Sequence, residues 1–272
     1  MAAEHMKPGC ISADLRGRSA LITGATGYLG SAMAWALAEA GAEVLINARN
    51  VESATRLADK IQQRGWNARP AVFDVVDEGA VAAAAERYFR DTPLNVLVNN
   101  AYAGGGGTIE QSSANAYRES YDVAVISAHR LLHAMLPALR RAVERDSHAS
   151  VINVASMYGL VSPDSRVYDS AKGTNPPFYG AAKAALIQWT RYAACEFGAQ
   201  GIRVNSISPG PFPSQLVQDN DPAFVSRLAE RVPLRRVGQA GEIAGPVLFL
   251  ASDASTYVNG ANLVVDGGWT AW

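Results

Sequence analysis

"SALITGATGYLGSAMAWALAEAG", residues 19–41, decides the fold. Its first five residues carry no charge and read as a buried strand. Gly24, Gly27 and Gly30 follow at three-residue intervals, and small apolar residues then run on with helical spacing. A strand that passes through a glycine turn into a helix opens a βαβ unit. Glycines let the backbone turn tightly and approach a pyrophosphate, and a helix N-terminus offers it free N–H groups and partial positive charge. The glycine spacing alone is a weak signal; its position between strand and helix makes it specific.

The alternation continues outward. "EVLINA" (43–48), "ARPAVFDV" (68–75), "LNVLVNNA" (94–101), "SVINVAS" (150–156), "IRVNSISPG" (202–210) and "NLVVDGG" (262–268) read as further strands. Helical patterns separate them: about 51–64, the alanine-rich 78–89, a long stretch from about 113 to 145 expected to bend at Pro137, about 178 to 199, and one or two more before the last strand. Such alternation implies right-handed crossovers and an α/β fold. We expect a Rossmann-type doubly wound parallel sheet of about seven strands, with helices on both faces.

The pattern runs to the C-terminus without a linker, which predicts a single domain over 15–272 after a disordered tail at 1–14. The stretch 157–177 has no clear period and reads as a loop of functional length. A net charge of −1 gives no reason to expect nucleic acid or a membrane surface as partner. Cys10 and Cys195 lie outside any CxxC or Cys/His cluster, which predicts no disulfide framework, no metal site and a cytoplasmic location. Cys195 reads as a packing residue. His129 and His133 share a helix face without the glutamate of a zinc motif, so a surface or interface role is expected.

Where a site selective for NAD usually has an acid at the end of the second strand, Ala48 stands here and Arg49 follows. A guanidinium can pair with a 2′-phosphate in bidentate fashion. NADP(H) is therefore the favoured cofactor, with NAD(H) second.

Two Tyr-x-x-x-Lys pairs occur, Tyr168–Lys172 and Tyr179–Lys183. A phenol titrates near ~10, and bringing it to ~7 takes about 4 kcal/mol. An ammonium ~5 Å away at an effective dielectric of ~20 supplies about 3 kcal/mol. One helical turn provides that proximity. Pro176 and Pro177 suit the start of a helix that carries Tyr179 and Lys183, whereas Gly173 and two prolines cut short any helix after Tyr168. Tyr179 and Lys183 are the expected acid–base pair.

Taken together these residues resemble the short-chain dehydrogenase/reductase family in its compact single-domain branch, over about 15–272. "TGATGYLG", "FDV", "NNA", "VINVAS", "YGAAK", "SPGPFPS" and the C-terminal "GEIAGPVLFLASDASTYVNGANLVVDGG" fall in the family's order. The resemblance implies hydride transfer between a nicotinamide and a carbonyl or alcohol carbon, with Ser156, Tyr179 and Lys183 as catalytic residues. It implies cofactor contacts from Gly24, Thr26, Gly27, Tyr28, Leu29, Gly30, Arg49, Asp74, Val75, Asn100, Ala101, Tyr179, Lys183, Pro209, Gly210, Phe212 and Ser214. It also implies a homo-oligomer, dimer or tetramer.

Three positions depart from the family pattern. The glycine spacing is nearer that of the extended branch, Tyr102 stands where glycine is usual, and Ala124 replaces an asparagine that supports a proton-path water. Ser156 and Tyr179 are also 23 apart, so the 157–177 loop is an insertion beside the substrate position. Tyr102 and, from the insertion, Tyr158, Arg166 and Lys172 are the substrate-binding candidates, the last two as anion partners. The expected substrate is a polar small molecule, sugar-derived, polyol or oxo-acid, with a 3-oxoacyl thioester next. Alternatives are a nucleotide-binding protein with little turnover and an epimerase or dehydratase that uses its cofactor transiently.

Overall fold

The computed structural model describes residues 12–272. The expected N-terminal tail lies outside the described residues up to position 11. By Leu15, which is fully buried, the chain has entered the core. Seven strands form one sheet: β1 (Ser19–Ile22), β2 (Glu43–Ala48), β3 (Ala68–Val72), β4 (Val96–Asn99), β5 (Ala149–Val154), β6 (Ile202–Pro209) and β7 (Asn262–Val265). Their order is β3-β2-β1-β4-β5-β6-β7, and every pairing is parallel. The chain winds outward from β1 to β3 and then returns to β1's other side with β4. The crevice at the carboxyl ends of β1 and β4 is therefore the topological switch point, where such sheets bind ligands.

Helices cover both faces. On one face α1 (Tyr28–Glu39), α2 (Val51–Gln62) and α9 (Ala244–Ala251) pack against Ile22, Ile46 and Val98. On the other, α3 (Glu78–Phe89), α5 (Ser127–Asp146) and α6 (Pro177–Phe197) pack against Leu21, Leu97 and Val151. Adjacent strand residues thus feed opposite cores, as the period of two requires. Strands buried on both faces read as continuous apolar runs for this reason.

Several boundaries differ from expectation. The third strand stops at Val72 because its one partner, β2, stops at Ala48 opposite it. The last strand stops at Val265, where the Asp266 carboxylate accepts hydrogen bonds from the N–H groups of Gly268 and Thr270, both at 2.8 Å, and turns the chain. Three helices, α7 (Gln215–Asn220), α8 (Pro222–Arg231) and α9, precede it rather than one or two.

The long 113–145 helix is divided into α4 (Ala114–Tyr121) and α5 by a π-helical turn at Asp122–Ile126. Pro137 stays inside α5 on its exposed side, where water can take the carbonyl that its missing N–H leaves free. The 157–177 insertion folds as three single 3₁₀ turns, Met157–Gly159, Ser165–Val167 and Ala171–Gly173. Tyr168 follows the second turn in extended conformation and Lys172 lies in the third, so they share no helix face.

Asn205 of β6 fastens the loop before β7. Fully buried, it donates to the Val258 carbonyl and accepts from the Ala261 N–H, both at 2.9 Å. Asn205→Ala leaves both backbone groups unpaired, and we expect a loss of about 2–4 kcal/mol and a Tm lower by roughly 5–15 °C in a thermal melt. An unchanged Tm would show that water replaces the side chain.

Candidate active site

At the switch point Gly24 turns with φ +59°, and α1 starts at Tyr28 with no side chain capping its N-terminus. A Cβ on Gly30 would collide with the Gly24 carbonyl and the Asn100 amide, so this position accepts only glycine without a shift. Two neighbours hold the turn. Thr23 Oγ1 accepts the N–H groups of Asn100 and Ala101 at 2.9 and 3.0 Å, while Asn100 Nδ2 donates back to the carbonyls of Thr23 and Gly24 at 2.9 and 3.1 Å. Asn47 Nδ2 donates to the carbonyls of Ala71 and Phe73 at 3.0 Å, and its Oδ1 accepts from the Gly24 N–H at 3.3 Å.

A cavity of about 440 Å³ opens between these elements. Gly24, Thr26, Gly27, Arg49, Asp74, Val75, Ala101 and Tyr102 are among its walls. Arg49 makes no hydrogen bond or salt bridge to any described residue, so its guanidinium is free for an anion. Asp74 is turned by its own loop, its Oδ1 accepting from the Val76 N–H at 3.1 Å. The glycine cradle, the uncapped helix and the free arginine fit a dinucleotide with a phosphorylated ribose.

Farther along the same edge, Ser156 follows β5, and Tyr179 and Lys183 project from the first turns of α6. Lys183 is 3% exposed, and its Nζ donates to the Val154 carbonyl at 2.6 Å. Burial lowers its pKa from the usual lysine value to about 7. Tyr179 moves the other way. Burial raises its pKa above the ordinary phenol value; the adjacent Ser156 hydroxyl offsets this only in part, and the Tyr102 phenol adds to it. The expected acidification of Tyr179 by Lys183 is thus absent from the free protein, because desolvation acts on both groups and discourages charge on either.

The family model described as enoyl-(acyl carrier protein) reductase matches residues 24–270. A rhamnolipid-biosynthesis 3-oxoacyl-[acyl-carrier-protein] reductase of Pseudomonas aeruginosa is 33% identical over 260 residues, covering 94% of this chain and 97% of its own. The gluconate 5-dehydrogenase of Gluconobacter oxydans is 33% identical over 261 residues, covering 94% and 96%. A gluconate 5-dehydrogenase from Burkholderia cenocepacia, solved in complex with NADP and tartrate, has a TM-score of 0.83 at 32% identity and covers 97% and 99%. The chain belongs to the short-chain dehydrogenase/reductase family.

Within this family fold, the sequence-derived residues separate into three groups. Tyr28, Leu29 and Gly30 form the start of α1. Pro209 ends β6, and Gly210, Phe212 and Ser214 follow it. The Gly210 N–H donates to the Val265 carbonyl at 2.9 Å, Phe212 packs over Gly238, and Ser214 caps α7. Asn100 clamps the glycine turn rather than lining the cavity.

Of the insertion candidates, Arg166 and Lys172 lie apart from Ser156, Tyr179 and Lys183, whereas the Tyr158 N–H donates to Ser156 Oγ at 3.1 Å. Arg166 donates to Asp164 in its own turn, Nε to Oδ1 at 2.9 Å and NH2 to Oδ2 at 2.8 Å, and is 80% exposed. Lys172 is exposed. Neither makes a hydrogen bond or salt bridge to Ser156, Tyr179 or Lys183. The Tyr158 hydroxyl hydrogen-bonds the Tyr168 hydroxyl at 2.7 Å, and its ring meets Trp269 edge-on.

Cys195 is exposed, not packed, because the buried stripe of α6 passes through Thr190, Ala193 and Ala194. Among the described residues no group of three or more His, Cys, Asp or Glu could hold a metal ion. Sequence reasoning missed Thr23, Asn47 and the Val154 carbonyl. The Thr-Gly pair at 23–24 was visible, but a hydroxyl that caps a strand end has no periodic signature.

Lys183 ties stability to pH. Its folded-state pKa near 7 lies below the unfolded value of about 10.5. Between those limits the unfolded chain binds more protons, so this group makes stability rise with pH. Below pH 7 the folded state must keep a buried charge, at a cost on the order of a few kcal/mol. In the protein free of dinucleotide, Lys183→Met is expected to raise Tm relative to the parent most near pH 6, with the difference shrinking by about pH 10. A pH-independent difference in paired thermal melts contradicts this.

Proposed function

We propose that this protein is an NADP(H)-dependent dehydrogenase/reductase that acts on a carbonyl or secondary alcohol of a polar small molecule of the sugar-acid type. The observation that carries this reading is the placing of Ser156, Tyr179 and Lys183 on the sheet edge that also holds the glycine cradle and the free Arg49. The two gluconate 5-dehydrogenases support the substrate class, and the NADP in the Burkholderia cenocepacia complex supports the cofactor. No helix among the described residues is long and apolar enough to cross a membrane. A cytoplasmic location and a homo-oligomer, dimer or tetramer, complete the proposal.

In reduction the bound nicotinamide supplies the hydride. The Tyr179 phenol donates its proton to the substrate oxygen, which needs the phenol protonated at neutral pH; burial ensures this. Ser156 Oγ, which accepts from the Tyr158 N–H at 3.1 Å, still has its own proton to direct at the same oxygen. Lys183, charged at or below about pH 7, stabilises the phenolate left behind and offers further N–H donors to a ribose.

A 3-oxoacyl thioester is the second substrate class. Tyr179 packs against a cluster that includes Met157, Val167, Leu228, Val232 and Trp269, an apolar wall suited to an acyl chain. The Pseudomonas aeruginosa relative supports this reading.

Following NADPH absorbance with 5-keto-D-gluconate and with a 3-oxoacyl thioester separates the two classes. Tyr179→Phe is expected to lower kcat by about 100-fold or more while NADPH still binds, as read by its fluorescence. Undiminished turnover would sink the mechanism. Arg49→Asp removes a charge-assisted hydrogen-bond partner, so the ratio of kcat/KM for NADPH over NADH should fall by about 10- to 100-fold.

A further inference from the structure

We propose that Tyr102 is a positioning residue for the acid–base group, its ring face holding the Lys183 ammonium in place beneath Tyr179. The inference rests on the reading of Tyr179 and Lys183 given above. Lys183 Nζ lies 5.0 Å from the centroid of the Tyr102 ring and 5.6 Å from that of Tyr179. Its one hydrogen-bond acceptor among the described residues is the Val154 carbonyl. An ammonium carries three donors, and at this buried position the electron-rich ring faces are the other stabilising groups among the described residues.

The Tyr102 ring is itself fixed on three sides. Its hydroxyl is 2.8 Å from Ser120 Oγ, and Ser120 directs its own proton to the Phe178 carbonyl at 3.1 Å, which makes Tyr102 the donor. Its ring meets the Tyr179 ring edge-on, with centroids 4.8 Å apart and planes at 72°. Gly104 completes the seat, because a Cβ there would come within 2.9 Å of the ring. Ala124, in the π-helical turn, and Ala128 belong, with Val125, Ala182 and Leu186, to the apolar cluster against which Tyr102 packs. The phenol carries positional information in both directions, to the amine below it and to the acid beside it.

The titratable groups that face Lys183 are few. Tyr102 comes from the loop after β4 and Tyr179 from α6; Tyr158, from the turn after β5, faces Tyr179. No carboxylate or guanidinium contributes to the displacement of Lys183, whose cause is burial alone. The ring face of Tyr102 favours the charged form. Without it the ammonium loses its proton at lower pH, and any step that needs the charge fails at lower pH too.

The chain has only four lysines, so ¹³C-labelling at lysine Cε gives a resolvable NMR titration of Lys183 in the protein free of substrate and dinucleotide. Tyr102→Leu is expected to lower the Lys183 midpoint by about one unit. The alkaline limb of kcat for 5-keto-D-gluconate reduction should move down with it. Tyr102→Phe keeps the ring face and should restore the midpoint. A midpoint in Tyr102→Leu equal to the parent's overturns the proposal.

Should Tyr102→Leu fail to fold, phenylalanines with one, two and three ring fluorines at position 102 keep the shape and weaken the face stepwise. The midpoint should then fall with each fluorine, and a flat series overturns the proposal. The NMR midpoint does not depend on turnover. Failure of the Tyr179 mechanism in the Tyr179→Phe assay is therefore distinguishable from failure of Tyr102 to hold the amine.

Discussion

The hydrogen-bonded stitch between Thr23 and Asn100 is the constraint on which the site depends. β1 and β4 are neighbours in the sheet, but the chain leaves them in opposite directions, and the crevice exists because nothing fills the gap. A gap at strand ends exposes backbone donors and acceptors that must find partners. Thr23 Oγ1 takes two N–H groups from the β4 end, and Asn100 Nδ2 returns to two carbonyls of the β1 end. These four bonds close the floor of the crevice and set the height of the glycine turn. Gly30 then lies so close to the Gly24 carbonyl and to Asn100 that the helix N-terminus is brought down onto the floor. Phosphate-binding geometry and sheet topology are here one arrangement.

A second constraint follows from placing an amine beside that floor. Burial by itself works against the chemistry, since it raises the Tyr179 pKa and lowers that of Lys183. A neutral Tyr179 phenol beside Lys183 forms a resting state with its proton in the right place for reduction. The same pair is poorly prepared to accept a proton in the reverse direction. Every group that favours charge on Lys183 therefore changes the balance between directions. The Val154 carbonyl is one such group and comes from backbone that β5 places regardless of sequence. A ring at position 102 is another, and that one is a choice of this chain.

The sheet and its helices were legible because strands buried on both faces must be continuous apolar runs, and "SALI", "VLIN" and "SVINV" leave no other reading. The helix that carries both Tyr179 and Lys183 was legible because Pro177 starts it two residues before Tyr179. The direction of the pKa displacements was not legible. It depends on how completely α6 and the turn after β5 exclude water, which no local pattern encodes. The break at Asp122–Ile126 was hidden likewise, since a π-helical turn inserts a residue without a proline or glycine to mark it. Arg166 looked like an anion partner by type alone; its position two residues after Asp164 was the overlooked signal of a self-contained turn.

The insertion illustrates how the departures depend on one another. Asp164 also meets Arg231 of α8 at 3.0 Å, Asp169 meets Arg227 at 2.5 Å, and Arg227 Nε donates to the Val167 carbonyl at 2.8 Å. Tyr168 packs on Phe224 of the same helix. At the insertion's other end, the Gly107 N–H donates to the Thr174 carbonyl at 2.9 Å, and Gly106 lies too close to the Lys172 carbonyl to carry a side chain. The insertion thus bridges α8 to the glycine run at 104–107, and that run begins with the residue whose missing Cβ makes room for Tyr102. Exposed ion pairs contribute little to stability, so the bridge is easily opened. What it provides is contact: α8 touches one end of the insertion and the 103–107 loop touches the other. That loop adjoins the ring beside Lys183, so an unbroken run of contacts leads from α8 through the insertion to the site.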